Sequence, residues 1–315
     1  MIEQVLRKVV SEAAAGRPAA LCAIVAARGS TPQPVGTMVC VDHAAHVVGT
    51  LGGGCVEAEV RHLAHRCLSG GNARLVTFTL DHDFGYDDGM LCGGQMDVAI
   101  AVYSQAAETT VIEDALRTMD SGCSAEIPLR VTADARSLLF RIRVAPAPKL
   151  IIVGGGHIGR LLAQMMPTLD FRVTVLDDRS EFANEGRFPP PIATVVGAIG
   201  TTLQRWLIDS NTYVVIVTRG HKHDEAALRS VIRSPARYLG MIGSRRKVRI
   251  IFDDLRHEGV PEELLARVHA PIGMNIGAVS AGEIALSIAS QLVSVRRTEP
   301  VGASAEPIVT TCVES

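Results

Sequence analysis

Two cysteines of this chain lie inside glycine-rich stretches. Cys55 follows three consecutive glycines at 52–54, and Cys92 is followed by two more at 93–94. Because glycine lacks a side chain and adopts backbone conformations closed to other residues, a ligand and several backbone N–H groups can approach each sulfur closely. A thiolate is both a nucleophile and a ligand for soft metals. We therefore interpret Cys55 and Cys92 as the candidate reactive residues.

The environment predicted for Cys55 favours its thiolate form. The sequence predicts a helix over 55–68, which places Cys55 at the N-terminus, where the helix dipole and free N–H groups stabilise an anion. The glycines at 52–54 can form an anion-binding nest beside it. For four other cysteines we expect inert packing in the core. These are Cys22, Cys40, Cys67 and Cys123.

A zinc site is an alternative use of the two thiols. Its ligands would be Cys55, Cys92 and a loop histidine, either His43 or His82. Structural zinc sites usually draw their ligands from closely spaced pairs, and the seven cysteines of the sequence contain no such pair. A pair of soft thiolates is better suited to a thiophilic metal or to a transferable sulfur.

A glycine-rich turn forms the second candidate site. Gly154, Gly156 and Gly159 follow an apolar strand and open a predicted helix, with the G-x-G-x-x-G spacing of dinucleotide-binding turns. There the second glycine lets backbone N–H groups approach a phosphate, and the third permits close packing of helix on strand. Asp177 ends the next predicted strand, where a carboxylate accepts hydrogen bonds from ribose hydroxyls. Arg179 could meet a 2′-phosphate, so both NAD and NADP remain open.

Three further clusters follow other predicted strands, at 218–224, 240–247 and 269–273. Because the carboxyl ends of parallel strands form the ligand crevice, their glycines and cations suit an anionic, phosphate-bearing ligand. The alternatives are helix-capping roles for His221, His223 and Asp224, and a solvated charged face for the cations. The candidate cofactor-binding residues of the whole chain are Gly52, Gly53, Gly54, Gly154, Gly156, His157, Gly159, Asp177, Arg179, Arg219, His221, Gly243, Ser244 and Arg245.

The elements that position these residues divide the chain into two domains. Residues 1–145 combine predicted helices with short strands, which indicates a small α+β domain. The residues at 145–148 read Ala-Pro-Ala-Pro, a stiff segment typical of a linker. Over 149–297, five short β-rich runs alternate with helical stretches, which predicts a doubly wound, Rossmann-like α/β domain with a parallel sheet. Residues 298–315 are expected to form a flexible tail.

Composition excludes several classes of protein. A formal net charge of −2 over 315 residues leaves no broad basic surface for nucleic acid or anionic membrane. The N-terminal residues lack the apolar core of a signal peptide, and the longest apolar run, 19–27, is too short to span a bilayer. We expect a cytoplasmic protein with reduced thiols, without nucleic-acid or membrane partners.

Taken together, these motifs resemble the XdhC/CoxI family, the accessory factors of xanthine dehydrogenase and related molybdenum hydroxylases. The resemblance runs through most of the chain in one order. It is carried by the stretches at 29–32, 52–57, 92–94, 154–159, 176–179, 181–183, 218–224, 240–247 and 269–273.

The resemblance implies a maturation factor rather than a turnover enzyme. Such a protein binds molybdenum cofactor (molybdopterin), holds it while a cysteine desulfurase supplies the terminal sulfido ligand, and delivers it to the apo-hydroxylase. Cys55 and Cys92 would contact the molybdenum or relay sulfur, and a homodimer is expected. Two other functions remain open at this point: an NAD(P)-dependent oxidoreductase acting on a thiol or on the cofactor, and a scaffold that only bridges desulfurase and hydroxylase.

Overall fold

The structure is a computed structural model, which describes residues 1–70, 72–80, 93–133, 136–298 and the backbone of 308–310. The chain divides into two compact units. The first is Met1–Pro146 with the C-terminal strand Ile308–Thr310, and the second is Ala147–Pro300.

The first unit is a mixed α/β structure built on a mostly antiparallel sheet. Its helices are α1 (Ile2–Ala14), α2 (Gly54–Gly70) and α3 (Thr110–Asp120), and a 3-10 turn covers Ala106–Thr109. Its strands are β1 (Ala19–Arg28), β2 (Met38–Asp42), β3 (Val47–Gly49), β4 (Arg74–Thr79), β5 (Gln95–Tyr103), β6 (Ala125–Ala133), β7 (Arg136–Val144) and β14 (Ile308–Thr310). Within the described residues these eight strands follow the order β14-β7-β6-β4-β5-β1-β2-β3.

Both faces of β1 are buried, which explains its continuous apolar sequence. Leu21 and Ala23 lie in a core with α1 and α3. Cys22 and Ile24, which point to the opposite face, lie in a second core with α2. The helix that begins beside Cys55 is therefore fixed to the centre of the sheet through its buried side.

A group of charged side chains fastens α1 to β2. Lys8 Nζ lies 2.7 Å from Glu12 Oε1 and 3.1 Å from Asp42 Oδ2. Arg17 Nε donates a 2.6 Å hydrogen bond to the other Glu12 oxygen. Hydrogen bonds from Arg17 and Lys8 lower the pKa of Glu12 to about 2, although burial acts in the opposite direction.

The second unit contains a parallel sheet between helices. Its strands are β8 (Lys149–Val153), β9 (Arg172–Asp177), β10 (Ala193–Val196), β11 (Thr212–Ile216), β12 (Tyr238–Met241) and β13 (Val268–His269). Its helices are α4 (His157–Met165), α5 (Ile199–Arg205), α6 (His221–Val231), α7 (Arg245–His257), α8 (Glu262–Ala266) and α9 (Ala281–Thr298), with a 3-10 turn at Met166–Leu169. The order β10-β9-β8-β11-β12-β13, parallel throughout, is the Rossmann order.

Alternate residues of β8 enter two different cores. Leu150 and Ile152 pack with α4 and α9, whereas Ile151 and Val153 pack with α5, α6 and α7. The order reverses between β8 and β11, and in open α/β sheets ligands bind outside the carboxyl ends of the strands at this switch point. The predicted α/β fold class, with a C-terminal Rossmann-like domain after a smaller α+β domain, is confirmed.

The flexible tail expected over 298–315 lies largely outside the described residues. Within that range, β14 pairs antiparallel with β7, joining Ile308 to Leu139 and Thr310 to Ser137. None of the helices in the described part of the chain has the length and apolar character needed to cross a membrane.

Candidate functional site

Cys55 is exposed at the start of α2, as its second residue. The preceding residues Gly52, Gly53 and Gly54 have φ angles of +109°, +76° and +67°. Three consecutive residues in this left-handed region require glycine, because a Cβ atom is strained there. The chain therefore makes a tight turn that presents the thiol beside the N-terminal N–H groups of the helix.

Glu57 holds this turn in place. Its Oε2 atom accepts hydrogen bonds from Thr50 Oγ1 at 2.7 Å, from Leu51 N at 3.0 Å and from Gly53 N at 3.1 Å. Burial tends to raise the pKa of Glu57, but these hydrogen bonds lower it by more, so the net shift is downward. Gly52 N donates to Thr50 Oγ1. The N–H groups of Gly52 and Gly53, which we expected to meet an external anion, are thus directed to the protein's own side chains.

The segment 29–33 contacts the turn before Cys55 and also the stretch after Cys92. A Cβ atom on Gly52 would lie 2.7 Å from Pro32 Cβ, and one on Gly94 would lie 2.1 Å from Ser30 O. Ser30 also forms an isolated parallel bridge with Gly93. Both glycine-rich stretches are therefore packed against one loop. Cys92 itself, like His82, lies outside the described residues.

The other cysteines divide into two groups. Cys22, Cys40 and Cys67 are buried, as expected, and burial raises the pKa of each thiol, to about 12 for Cys40. The expectation for Cys123 is wrong. Its thiol is exposed because the residue lies in the turn after α3, where its N–H bonds to Thr118 O.

The zinc alternative gains no support from the described residues. His43 Nδ1 lies 3.3 Å from Glu12 Oε2, in the charged group that fastens α1 to β2. Within the part of the chain that the structure describes, no group of three or more His, Cys, Asp and Glu side chains is arranged to hold a metal ion.

The candidate residues of the second unit lie at the carboxyl edge of the parallel sheet. Gly156 is the N-cap of α4 and exposed His157 its first residue; Asp177 ends β9. Arg219 and His221 follow β11, and Gly243, Ser244 and Arg245 follow β12. Two contacts join neighbouring loops: Arg219 Nη2 lies 3.4 Å from Asp178 Oδ2, and a Cβ on Gly154 would lie 2.6 Å from Val217 O.

The glycines of the turn differ in what a Cβ atom at each position would contact. A Cβ on Gly159 would lie 1.9 Å from Gly154 O, so helix and strand approach each other only without a side chain there. A Cβ on Gly155 would lie 2.0 Å from Phe182 O. At Gly156, by contrast, no heavy atom of the described chain, apart from those of the residue itself and its two chain neighbours, lies within 4 Å of that position. The N-terminus of α4 therefore opens onto free space at Gly156, where a phosphate could approach the N–H groups.

Asp177 is 3% exposed and faces the turn. Its Oδ2 atom accepts from Gly155 N at 2.9 Å and from Arg179 Nη2 at 3.2 Å. Its Oδ1 atom accepts from Arg179 N at 3.1 Å and from Arg179 Nε at 3.0 Å. Burial tends to raise the pKa of Asp177, and the hydrogen bonds from Arg179 and Gly155 more than offset this, so the pKa is lowered.

Phe182 and Arg187 complete this arrangement. The guanidinium of Arg179 lies 3.5 Å from the centroid of the Phe182 ring, and that of Arg187 lies 5.1 Å from it. Arg187 Nη2 donates a 3.1 Å hydrogen bond to Gly155 O. Both the N–H and the carbonyl of Gly155 are therefore bonded to side chains from β9 and the segment after it.

Asp224 is not the helix cap that the sequence suggested. Gly220 is the N-cap of α6, and Asp224, one turn further, is fully buried. Its carboxylate accepts from the N–H of Thr218 at 3.1 Å, from the hydroxyl of Thr218 at 2.5 Å, and from Lys247 Nζ. Ser244, the N-cap of α7, accepts from Lys247 N. The buried carboxylate thus connects the ends of β11 and β12 through Lys247.

Two sequence models match the chain. That of the XdhC Rossmann domain covers residues 150–292, and that of the XdhC and CoxI family covers residues 12–79. The chain belongs to the XdhC and CoxI family. Each model falls within one of the two units, so the family assignment agrees with both halves of the fold.

Several proteins are similar to this chain along most of its length. The uncharacterized protein YqeB of Escherichia coli is 31% identical over 291 residues, covering 92% of this chain but only 46% of YqeB. A Bacillus subtilis protein named as a probable xanthine dehydrogenase subunit is 22% identical, covering 89% of this chain and 93% of its own length. The molybdenum cofactor insertion chaperone PaoD of Escherichia coli is 22% identical, covering 93% and 88% respectively.

A crystal structure described as a xanthine dehydrogenase from Bacillus halodurans has the same fold. The TM-score is 0.81 at 20% identity, with 95% of this chain and 96% of the other covered. At this level of identity the likeness is evidence that the two chains share a fold, and it is not evidence that they share a chemistry.

Some contacts of this XdhC and CoxI chain had no visible signal in its sequence. Phe182, Arg187 and Lys247 each contact a residue more than twenty positions away, at distances set by the folded loops. Glu57 had a weak signal, since an acidic residue in the first turn of a helix satisfies nearby N–H groups. Its actual partners lie before the helix, in the turn that carries Cys55.

Proposed function

We propose that this chain binds molybdenum cofactor as cargo, holds it while a cysteine desulfurase supplies the terminal sulfido ligand, and delivers it to xanthine dehydrogenase or a related molybdenum hydroxylase. The chain would then be an accessory protein rather than a turnover enzyme. Family membership supports this proposal, as does the relationship to PaoD, which is itself called a molybdenum cofactor insertion chaperone.

The observation that carries the proposal is the shared contact of segment 29–33 with both glycine-rich stretches. Gly52 packs on Pro32, and Gly94 packs on Ser30. Since Cys92 is covalently joined to Gly93, we propose that it acts together with Cys55. A soft thiolate suits a molybdenum centre, and the exposed thiol of Cys55 is accessible to a large cargo.

Within the second unit, we propose the glycine-rich turn at 154–159 as a binding place for a phosphate group. The open space at Gly156 is the feature of the turn that fits such a group, because backbone N–H groups and the positive end of α4 meet there. Exposed cations at the same edge, Arg219 and Arg245, would add to the attraction. The residues that we propose to line this site follow the carboxyl ends of β8, β11 and β12: His157, His221, Gly243 and Ser244.

Cofactor retention tests the proposal directly. The full chain is incubated anaerobically with molybdenum cofactor, passed through a desalting column, and its molybdenum and pterin contents are measured. We expect retention by the wild-type chain and at least about tenfold weaker binding by the Cys55→Ala, Cys92→Ala double variant. Cys123→Ala is the matched control, because Cys123 is an exposed thiol elsewhere in the same unit. Unchanged retention in the double variant would remove the cysteines from the function.

The proposed partners need a separate experiment. A tagged chain is expected to co-purify with a molybdenum hydroxylase and with a cysteine desulfurase, and to sediment as a homodimer. A chain that only bridged these enzymes would still support hydroxylase activity in cells after loss of both cysteines. Loss of that activity in the double variant, with Cys123→Ala active, supports cofactor handling.

A further inference from the structure

The acidic residue of the glycine-turn motif is already bonded within the chain. In dinucleotide-binding Rossmann domains, a carboxylate at this place accepts hydrogen bonds from ribose hydroxyls. Asp177 instead receives four N–H donors, one from Gly155 and three from Arg179. An ionised carboxylate offers about four acceptor positions, so a ribose diol would have to displace donors of the protein.

Arg179 is also engaged within the chain, which bears on NADP. A 2′-phosphate would need the guanidinium N–H groups of this arginine, and two of its five N–H groups, one on Nε and one on Nη2, are already donated to Asp177. Nε also lies 3.7 Å from Asp178 Oδ1. In addition, the guanidinium is stacked on the Phe182 ring at 3.5 Å. A phosphate would therefore compete with two carboxylates and an aromatic contact for the same cation.

The chain after β9 also covers the middle of the turn. Phe182 O approaches Gly155 so closely that a Cβ there would lie 2.0 Å away, and Arg187 Nη2 bonds to Gly155 O at 3.1 Å. Asp177 holds the N–H of the same glycine. The peptide groups of Gly155 are therefore held on both sides by the chain, whereas Gly156 next to it stays open.

We propose that Asp177 is a positioning residue for the glycine-rich turn and that the Rossmann unit does not bind NAD or NADP. The residues that would recognise the adenosine ribose of either dinucleotide serve to hold the turn and the segment after β9 together. The proposal goes beyond the proposed function, because it concerns which nucleotide the turn rejects, whatever the cargo is. It removes the oxidoreductase alternative that the G-x-G-x-x-G spacing had left open.

The first test uses the wild-type full chain. NAD⁺ and NADP⁺ are titrated into it by calorimetry, and we expect no saturable binding up to about 1 mM of either dinucleotide. Saturable binding of either one below that concentration overturns the proposal. Because no variant is needed, this result does not depend on the folding of any mutant.

The positioning role is tested by Asp177→Asn, with Asp178→Asn as the matched control. Asp178 is the neighbouring carboxylate, more exposed, and paired with Arg219 at 3.4 Å. We expect Asp177→Asn to lower Tm and to accelerate amide exchange at Gly155, and Asp178→Asn to leave exchange at Gly155 unchanged. A folded Asp177→Asn chain with wild-type exchange at Gly155 contradicts the positioning role.

Cofactor retention in the same preparation separates the two proposals. A wild-type chain that binds neither the dinucleotides nor molybdenum cofactor refutes the proposed function and leaves this inference standing. A chain that retains the cofactor and releases it on addition of NAD⁺ or NADP⁺ overturns this inference and leaves the proposed function standing.

Discussion

Glu57 Oε2 accepts a 2.7 Å hydrogen bond from Thr50 Oγ1, across the three glycines that precede Cys55. The same oxygen holds two backbone N–H groups of the turn. We expect Glu57→Gln to destabilise the fold by about 1.5 kcal/mol, since charge-assisted hydrogen bonds become neutral ones. Denaturant unfolding measures the effect. Glu59→Gln, on the same helix, is the control and should leave the stability unchanged.

Substitutions at two glycines of the turn in the second unit should distinguish a residue needed for folding from a residue needed for binding. Gly159→Ala brings a Cβ against a backbone oxygen, and we expect it to lower the free energy of unfolding by about 1–3 kcal/mol. Gly156→Ala meets no atom of the described chain within 4 Å and should keep a near-native Tm. It should nevertheless weaken cofactor retention, because the methyl group would occupy the space left for a phosphate. Wild-type retention by folded Gly156→Ala would move the phosphate contact elsewhere.

Lys247 should be required for the stability of the fold, because it neutralises the buried carboxylate of Asp224. Asp224 is fully buried, so Lys247→Met leaves a buried charge without its cation and is expected to destabilise the fold by about 3–5 kcal/mol. Arg246→Met, at the exposed neighbouring position, should have little effect. The double variant Asp224→Asn, Lys247→Met removes both charges and should recover much of the loss. A chemical-denaturation double-mutant cycle measures the coupling, and strict additivity would show that the pair is not coupled.

The charged group around Glu12 should govern stability in acid. The pKa of Glu12 in the folded chain is about 2, below its ordinary value of 4.5, so its contribution to stability is fully present above pH 4.5 and is lost as the pH falls towards 2. We expect Glu12→Gln to cost about 1.5–3 kcal/mol at pH 7 and to flatten the decline in stability below pH 4.5. Unfolding free energies measured between neutral pH and the acid range test this.

The control for this experiment is Glu3→Gln, which breaks an exposed ion pair with Arg7 on the same helix. Such pairs contribute less than about 1 kcal/mol, so its pH profile should follow that of the wild-type chain. Equal slopes for Glu12→Gln and the wild-type chain below pH 4.5 would contradict the assigned role of Glu12.

The sequence predicted the elements of the fold well because periodicity and burial agree along most of it. The apolar run at 19–27 was sufficient to predict β1. The alternation of β-rich and helical segments after residue 149 was sufficient to predict the parallel sheet. The G-x-G-x-x-G spacing located the turn between β8 and α4, since Gly154 and Gly159 are needed for close packing. Local patterns of this kind are set by the nearest few residues and can be read directly.

Contacts that depend on distant residues could not be read in this way. Asp177 occupies the expected place for a ribose ligand, but its partners are supplied by Arg179 and by the backbone of a turn twenty-two residues earlier. Asp224 matched the composition of a helix cap, whereas its charge is balanced by Lys247 from another helix. Cys123 had the sequence context of an ordinary core thiol, but the end of α3 leaves it in an exposed turn. For Asp224 the balancing cation is distant in sequence, whereas Asp177 is bound both by the distant Gly155 and by Arg179 two residues further on. For Cys123 the deciding feature is the point at which a helix ends.

The openness at Gly156 has a consequence for how this family can diversify. Gly154 and Gly159 are constrained by contacts inside the protein, so substitutions there are removed through misfolding whatever the cargo is. At Gly156 the described chain imposes no such steric constraint, so only a ligand bound there would oppose a substitution. Selection for folding and selection for ligand binding therefore act on different glycines of one short turn. Under the proposed function, natural variation at position 156 should accordingly record changes of cargo, and variation at 154 and 159 should not.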